Sequence, residues 1–332
     1  MNRIGVVGAG AWGTALAVLA ARRGDSVQMW TRRAELAVAV EAARQNSAYL
    51  PGIKLDPTIH ISADAADLAN ANPILVVTPA QHVRAILADL EPAIAADAVA
   101  VICSKGIELA TGKLLSTVVS EVLPGRSIAV LTGPSFADEV ARNRPTAVTI
   151  ACDNQSIGAA LVETLGTQTF RPYLTDDVLG AQIGGAVKNV LAIACGICEG
   201  RNFGENARAA LITRGLAEIG RLIVALGGRS ETLMGLSGLG DVTLTCTSDR
   251  SRNYALGVAL GQGNSLTSLL QGRHTVAEGV ASTGAVAGMA RRHGVDMPIV
   301  SAVDAVLHHG ADLDETVRAL LTRPFRTETE TA

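Results

Sequence analysis

The chain has 332 residues, 48% hydrophobic and 18% charged, with 34 Gly against 11 Pro. That is enough for about two packed domains and excludes a disordered or collagen-like chain. The 28 Lys+Arg against 31 Asp+Glu leave a formal net charge of -3, which gives no cationic field for a phosphate backbone, so no nucleic acid partner is expected.

The N-terminal residues run directly into the apolar pattern Ile4-Gly5-Val6-Val7 and do not read as a basic, apolar, small-residue leader. No apolar run of the ~20 residues that span a bilayer escapes interruption by Gly, Pro or charge, so no membrane span is expected. Cys103, Cys152, Cys195, Cys198 and Cys246 form no disulfide framework, and a cytoplasmic, reducing location fits them. Cys195 and Cys198 have neither a second pair nor clustered histidines beside them and read as core packing; no metal site is expected.

In chain order, short β-branched runs at 4–7, 27–30, 59–61, 74–77, 98–102, 128–131 and 148–151 alternate with Ala/Leu-rich helical patterns. This is the signature of an α/β unit, a Rossmann-type doubly wound parallel sheet, expected over residues 1–183. Strand signals stop near Gly180. An all-α domain is expected over 184–326, with Gly-rich turns such as Gly235–Gly240, and a frayed tail over 327–332.

Gly8-x-Gly10-x-x-Gly13 follows the first strand and opens a helix. Gly8 permits the tight turn, Gly10 the approach of backbone to a pyrophosphate, and Gly13 close helix–strand packing, while the helix N-terminus favours the anion. An NAD-selective site places an acid at the end of the second strand; here that strand ends Trp30-Thr31-Arg32-Arg33. Two arginines suit a 2′-phosphate, so NADPH is the expected cofactor, with NADH as an accepted alternative; the other reading is that Arg32 and Arg33 simply begin a solvated helix.

Lys105 and the run Gly133-Pro134-Ser135 follow strands, at the carboxyl ends where open α/β sheets bind ligands. Lys188 and Asn189 place a cation and an amide in an apolar helix. The segments holding Asp241, Thr245 and Ser251-Arg252-Asn253 add an acid, hydroxyls and an arginine fork, and anion binding is the common theme.

These segments resemble the NAD(P)-dependent glycerol-3-phosphate dehydrogenases of bacteria, from Ile4 to about Val280. The resemblance rests on Gly8–Ala17, Tyr49-Leu50-Pro51-Gly52-Ile53, Ser104–Glu108, Gly133–Ala137, Val187–Val190, Asn202–Ala207, Gly238–Asp241, Ser251–Asn253 and Val276–Gly279. Ala11 stands where the family often has Ser, and Leu55 where Pro is commoner. The resemblance implies reduction of dihydroxyacetone phosphate to sn-glycerol 3-phosphate, a phospholipid precursor, by a homodimer. It implies Lys188 as catalytic acid/base, with Lys105 and Arg252 near it. Such like charges lower the amine's pKa in the free enzyme, less so beside a bound phosphate dianion. Substrate contacts are implied for Lys105, Gly133, Ser135, Lys188, Asn189, Asp241, Thr245, Ser251, Arg252 and Asn253. Cofactor contacts are implied for Gly8, Gly10, Ala11, Trp12, Gly13, Arg32, Arg33, Tyr49, Lys105, Ala137, Arg252, Val276 and Glu278. For Asp241 three roles stay open: orienting Lys188, accepting a substrate hydroxyl, or capping a helix. The competing functions are a dehydrogenase of unphosphorylated hydroxy acids or ketopantoate and a nucleotide sensor without turnover.

Overall fold

A computed structural model describes residues 2–271, 277–325 and 327. The chain divides into two compact units, 1–105 with 113–178, and 106–112 with 179–332.

In the first unit β1 (Arg3–Val7), β2 (Ser26–Trp30), β3 (Ile59–Ser62), β4 (Ile74–Val76), β5 (Ala100–Ile102), β6 (Ile128–Thr132), β7 (Thr146–Ala151) and β8 (Phe170–Thr175) form one sheet of order β3-β2-β1-β4-β5-β6-β7-β8. Helices α1 (Ala11–Arg22), α2 (Ala34–Ala43), α3 (Val83–Leu90), α4 (Leu115–Val122), α5 (Ala137–Ala141) and α6 (Gln155–Leu165) connect the strands. The central strands are buried on both sides, which is why their sequences are apolar runs without alternation. Ile4, Val6, Leu16, Leu19, Met29, Leu75 and Val101 belong to the core they share with the helices. The chain leaves β1 toward β2 and β3 and returns to β4 on the other flank of β1. The strand order therefore reverses beside β1, and the carboxyl end of such a switch point is where open sheets hold ligands.

Two features depart from the sequence expectation. The sheet is not wholly parallel: β7 pairs antiparallel with β6, Thr132 opposite Thr149, and β8 runs parallel to β7. Residues 133–145 stay at the carboxyl end of β6 and carry only the short α5, so β7 starts where β6 stops and runs back. Strand β8 itself is an addition. Its sequence Phe-Arg-Pro-Tyr-Leu-Thr buries only Phe170 and Pro172, and proline is tolerated because β8 is an edge.

The second unit contains α7 (Val178–Gly200), α8 (Glu205–Ala225), α9 (Ser230–Leu233), α10 (Asp241–Cys246), α11 (Arg252–Gly261), α12 (Leu266–Leu270), α13 (Ala277–Arg292), α14 (Pro298–His308) and α15 (Leu313–Leu321). The Gly-rich run expected as a turn is one π-helical turn, Leu236–Gly240, leading straight into α10. By length and composition α7 is apolar enough to cross a membrane, but its most apolar 18-residue window is 89% buried inside the protein, as in a core helix. Helix α11 approaches α7 at glycine distance: a Cβ on Gly196 would stand 2.1 Å from the Tyr254 carbonyl oxygen, and one on Gly257 2.1 Å from that of Ile193.

Glu218 of α8 is 2% exposed, and its two oxygens accept the Ile299 and Val300 N–H groups at 2.8 and 3.2 Å. These are otherwise unpaired donors of the first turn of α14, which starts at Pro298. Burial pushes the carboxyl up to about 7, against the two N–H bonds and Arg221, which favour the anion, and with Asp296, which disfavours it. A folded-state value above the unfolded one stabilises the fold fully below the unfolded pKa and loses that contribution as pH rises toward 7. Urea unfolding at pH 5 and pH 8 should show a decline of about 2.5 kcal/mol traceable to this group. Glu218→Gln should flatten that decline, and an unchanged pH slope would show that Glu218 does not titrate there.

Candidate functional site

In the first unit the loop after β1 has the shape its three glycines imply. Gly8 has φ +122°, and a Cβ there would press on the backbone of Val77 and Thr78 at 3.0 to 3.2 Å. A Cβ on Gly13 would lie 1.9 Å from the Gly8 carbonyl oxygen, so α1 rests directly on the turn. Gly10 is the contrast: it precedes α1 as its cap, no side chain bonds to it as a cap, and a Cβ built on it meets nothing within 4 Å. Helix α1 therefore presents its N-terminus to open space, where partial positive charge and N–H groups favour an anion. This cradle fits the pyrophosphate of a dinucleotide. Ala11 and Trp12, the first residues of α1, are half-buried beside it.

At the carboxyl end of β2, Arg32 and Arg33 are exposed. The Arg33 guanidinium lies over the Tyr49 ring at 5.2 Å from its centre and donates to the Tyr49 hydroxyl at 2.6 Å. The two residues form one stacked, cationic surface beside a strand end that carries no acid. At the carboxyl ends of β5 and β6, Lys105 Nζ and Ser135 Oγ both donate to the Gly133 carbonyl oxygen, at 3.2 and 3.1 Å. Gly133 takes φ +138° and sits against the Val148 backbone. Ala137 opens α5 just beyond.

In the second unit Lys188 sits in the middle of α7, 8% exposed, and its amine donates to Asp241 Oδ1 at 2.5 Å and to Thr245 Oγ1 at 3.1 Å. Thr245 in turn donates to the Asp241 backbone carbonyl at 2.6 Å, one turn back along α10. Asp241 does not act as a helix cap: Gly240 precedes α10 and no side chain caps it. Its carboxylate is 1% exposed and lies directly against the amine. Asn189 Oδ1 accepts from Asn253 Nδ2 at 3.0 Å, linking α7 to α11. Ser251 caps α11, its hydroxyl oxygen accepting the Tyr254 N–H at 3.2 Å. Arg252, the first residue of α11, is exposed.

Cys195 and Cys198 are buried within α7, and burial raises the Cys198 thiol. Among the described residues no group of three or more His, Cys, Asp and Glu is arranged to hold a metal. Val276 and the side chain of Glu278 lie outside the described residues. Sequence reasoning missed Asn46 and Thr14, which bond to the glycine loop. The only signal was a polar residue three positions before the Tyr49-Leu50-Pro51 motif.

Residues 3–158 match the family described as "NAD-dependent glycerol-3-phosphate dehydrogenase N-terminus", and residues 177–318 match "NAD-dependent glycerol-3-phosphate dehydrogenase C-terminus". The chain is 54% identical over 328 residues to a protein of Parvibaculum lavamentivorans named glycerol-3-phosphate dehydrogenase (NAD(P)+), covering 99% of this chain and 98% of that one. A protein of the same name from Caulobacter vibrioides is 53% identical over 327 residues, covering 98% and 99%. Among solved structures, a glycerol-3-phosphate dehydrogenase of Coxiella burnetii superposes with a TM-score of 0.93 at 40% identity, covering 97% of this chain and 99% of that one.

The glycine geometry separates two substitutions. Gly13→Ala drives a Cβ into a backbone carbonyl and should destabilise the fold by about 1–3 kcal/mol, seen as a lower melting temperature. Gly10→Ala enters open space at an ordinary φ of −78°, so melting should stay within about 0.5 kcal/mol of wild type while dinucleotide binding weakens roughly tenfold or more. Unchanged binding in Gly10→Ala would remove this loop from the cofactor site.

Proposed function

The chain belongs to the NAD-dependent glycerol-3-phosphate dehydrogenase family, and from that premise we propose that it reduces dihydroxyacetone phosphate to sn-glycerol 3-phosphate for glycerophospholipid synthesis, using NADPH or NADH. The observation that carries the reading is the amine of Lys188, buried in an apolar helix and aimed by Asp241 and Thr245. When bound, the reduced nicotinamide supplies the hydride to the ketone carbon. Gly8, Gly10, Ala11, Trp12 and Gly13 hold the dinucleotide's pyrophosphate side in this reading, and Arg32, Arg33 and Tyr49 its adenosine ribose. The pair of arginines favours NADPH.

Reduction of a ketone leaves charge on its oxygen, which a positioned donor must stabilise and protonate. Lys188 donates that proton from Nζ, and Asp241 keeps the amine charged and in place until it does. Thr245 fixes the second N–H direction. Arg252 takes the substrate phosphate with its planar fork at the N-terminus of α11, where Asn253 and the capping Ser251 add N–H and hydroxyl partners. Asn189 holds Asn253 in register, and Lys105, Gly133 and Ser135 serve the carbonyl and diol. Ala137, Val276 and Glu278 complete the cofactor contacts.

We read the working form as a homodimer, since twofold pairs are the commonest soluble assembly. A cytoplasmic location fits five cysteines that are all free and buried.

Nicotinamide absorbance on adding dihydroxyacetone phosphate tests the reading. Wild type should oxidise NADPH faster than NADH. Lys188→Met should lower kcat by roughly 10²–10⁴-fold while still binding cofactor. Asp241→Asn should fall between the two, because the amine loses the carboxylate that aims it. Equal turnover of unphosphorylated dihydroxyacetone would contradict the phosphate grip. Cofactor binding without oxidation of NADPH or NADH by any ketone would leave a sensor.

A further inference from the structure

Asn46 has no exposed surface and lies between α2 and the turn that carries Tyr49. Its Nδ2 donates to the Ala9 carbonyl at 2.9 Å and to Thr14 Oγ1 at 2.8 Å, and Thr14 Oγ1 donates onward to the Gly10 carbonyl at 2.8 Å. Both carbonyls belong to the glycine cradle. On its other side, the backbone carbonyl of Asn46 accepts the N–H groups of Leu50 at 2.8 Å and Tyr49 at 3.3 Å. Tyr49 is the ring on which Arg33 stacks.

We propose that Asn46 is a positioning residue for the dinucleotide, one that sets the spacing between the cradle for the pyrophosphate and the Arg33–Tyr49 surface for the adenosine ribose. The proposal rests on the cofactor reading above. The orientation of the amide is fixed, because the Ala9 carbonyl can only accept, and turning the amide over would put two acceptor oxygens face to face. In that orientation Oδ1 is buried without a hydrogen-bond partner. A desolvated, unpaired oxygen is costly, and an apolar side chain of the same shape would avoid it. The amide is therefore useful at this position for its two donors and for what they hold. Neither Ala9 nor Gly10 has a side chain of its own that reaches a partner, so the conformation of the cradle depends on such outside bonds.

The test compares wild type with Asn46→Ala, Asn46→Asp and Thr14→Val, using quenching of the two tryptophans, Trp12 and Trp30, to measure Kd for NADPH and NADH directly, alongside kcat and KM. Asn46→Asp keeps the shape and removes both donors. Both Asn46 variants should raise the Kd for NADH roughly tenfold and that for NADPH further, because the 2′-phosphate of NADPH draws more strongly on Arg33 than the bare ribose of NADH does, and kcat should fall far less than kcat/KM. Thr14→Val, which keeps the Asn46 amide bond to the Ala9 carbonyl and so leaves the cradle linked to the Tyr49 turn, should weaken the two cofactors equally. Wild-type Kd values in a folded Asn46 variant, or equal losses for both cofactors there, would overturn the proposal. If the Asn46 variants do not fold, wild-type affinity in Thr14→Val overturns it and equal weakening supports it. A wild-type protein that binds neither cofactor would instead sink the cofactor reading, and this proposal with it.

Discussion

A charged amine inside an apolar helix needs an anion against it, and much of the helical unit can be read as the answer to that requirement. An unpaired buried ammonium costs several kcal/mol, so Lys188 in α7 requires Asp241 where α10 begins. To bring α10 that close, the preceding chain must press on α7, where a Cβ on Gly184 would stand 2.6 Å from the Ser237 carbonyl oxygen, and fold back on α9, where one on Gly238 would stand 2.1 Å from that of Leu233. The Gly-rich π turn is thus a packing device that delivers a carboxylate to a fixed point. The same close approach recurs where α11 meets α7, and it places Asn253 against Asn189.

The sheet unit meets a different constraint. Its central strands are apolar on both faces, so polar chemistry is confined to the strand ends, where loops begin. There the glycine cradle follows β1, the arginines follow β2, and Lys105 and Ser135 follow β5 and β6. Thr78 and Thr132, past the ends of β4 and at the end of β6, carry buried hydroxyl oxygens that the protein itself does not pair. Both lie at the carboxyl edge of the sheet, the edge at which open sheets meet ligands.

Most of this was legible in the sequence because the relevant signals are local. Gly8, Gly10 and Gly13 announce their geometry through spacing alone, and Lys188 stands out as a charge within an apolar helix. Phe170–Thr175 was not legible as a strand, because Arg171, Pro172 and Tyr173 break the apolar run and the segment pairs along only one side. The antiparallel run of β7 was equally hidden, since strand direction depends on where a connection ends in space. Asn46 escaped for another reason: its partners Ala9 and Thr14 lie 37 and 32 residues away, and nothing near it in sequence declares the contact. Removing the cap from the roles open to Asp241 needed the fold too, because a cap and an ion pair look alike as an acid after glycines.

The path of the chain has a consequence for how such a protein can be recombined. Residues 106–112 belong with the helical unit although they interrupt the sheet unit, so the polypeptide passes between units at 105/106, 112/113 and 178/179. No single cut in the gene yields two complete halves. A cut near residue 178 strands those seven residues, including the buried Ile107 and Glu108, in the wrong fragment. Exchange of the sheet unit between relatives must therefore carry a graft of that excursion, which a simple end-to-end fusion leaves behind.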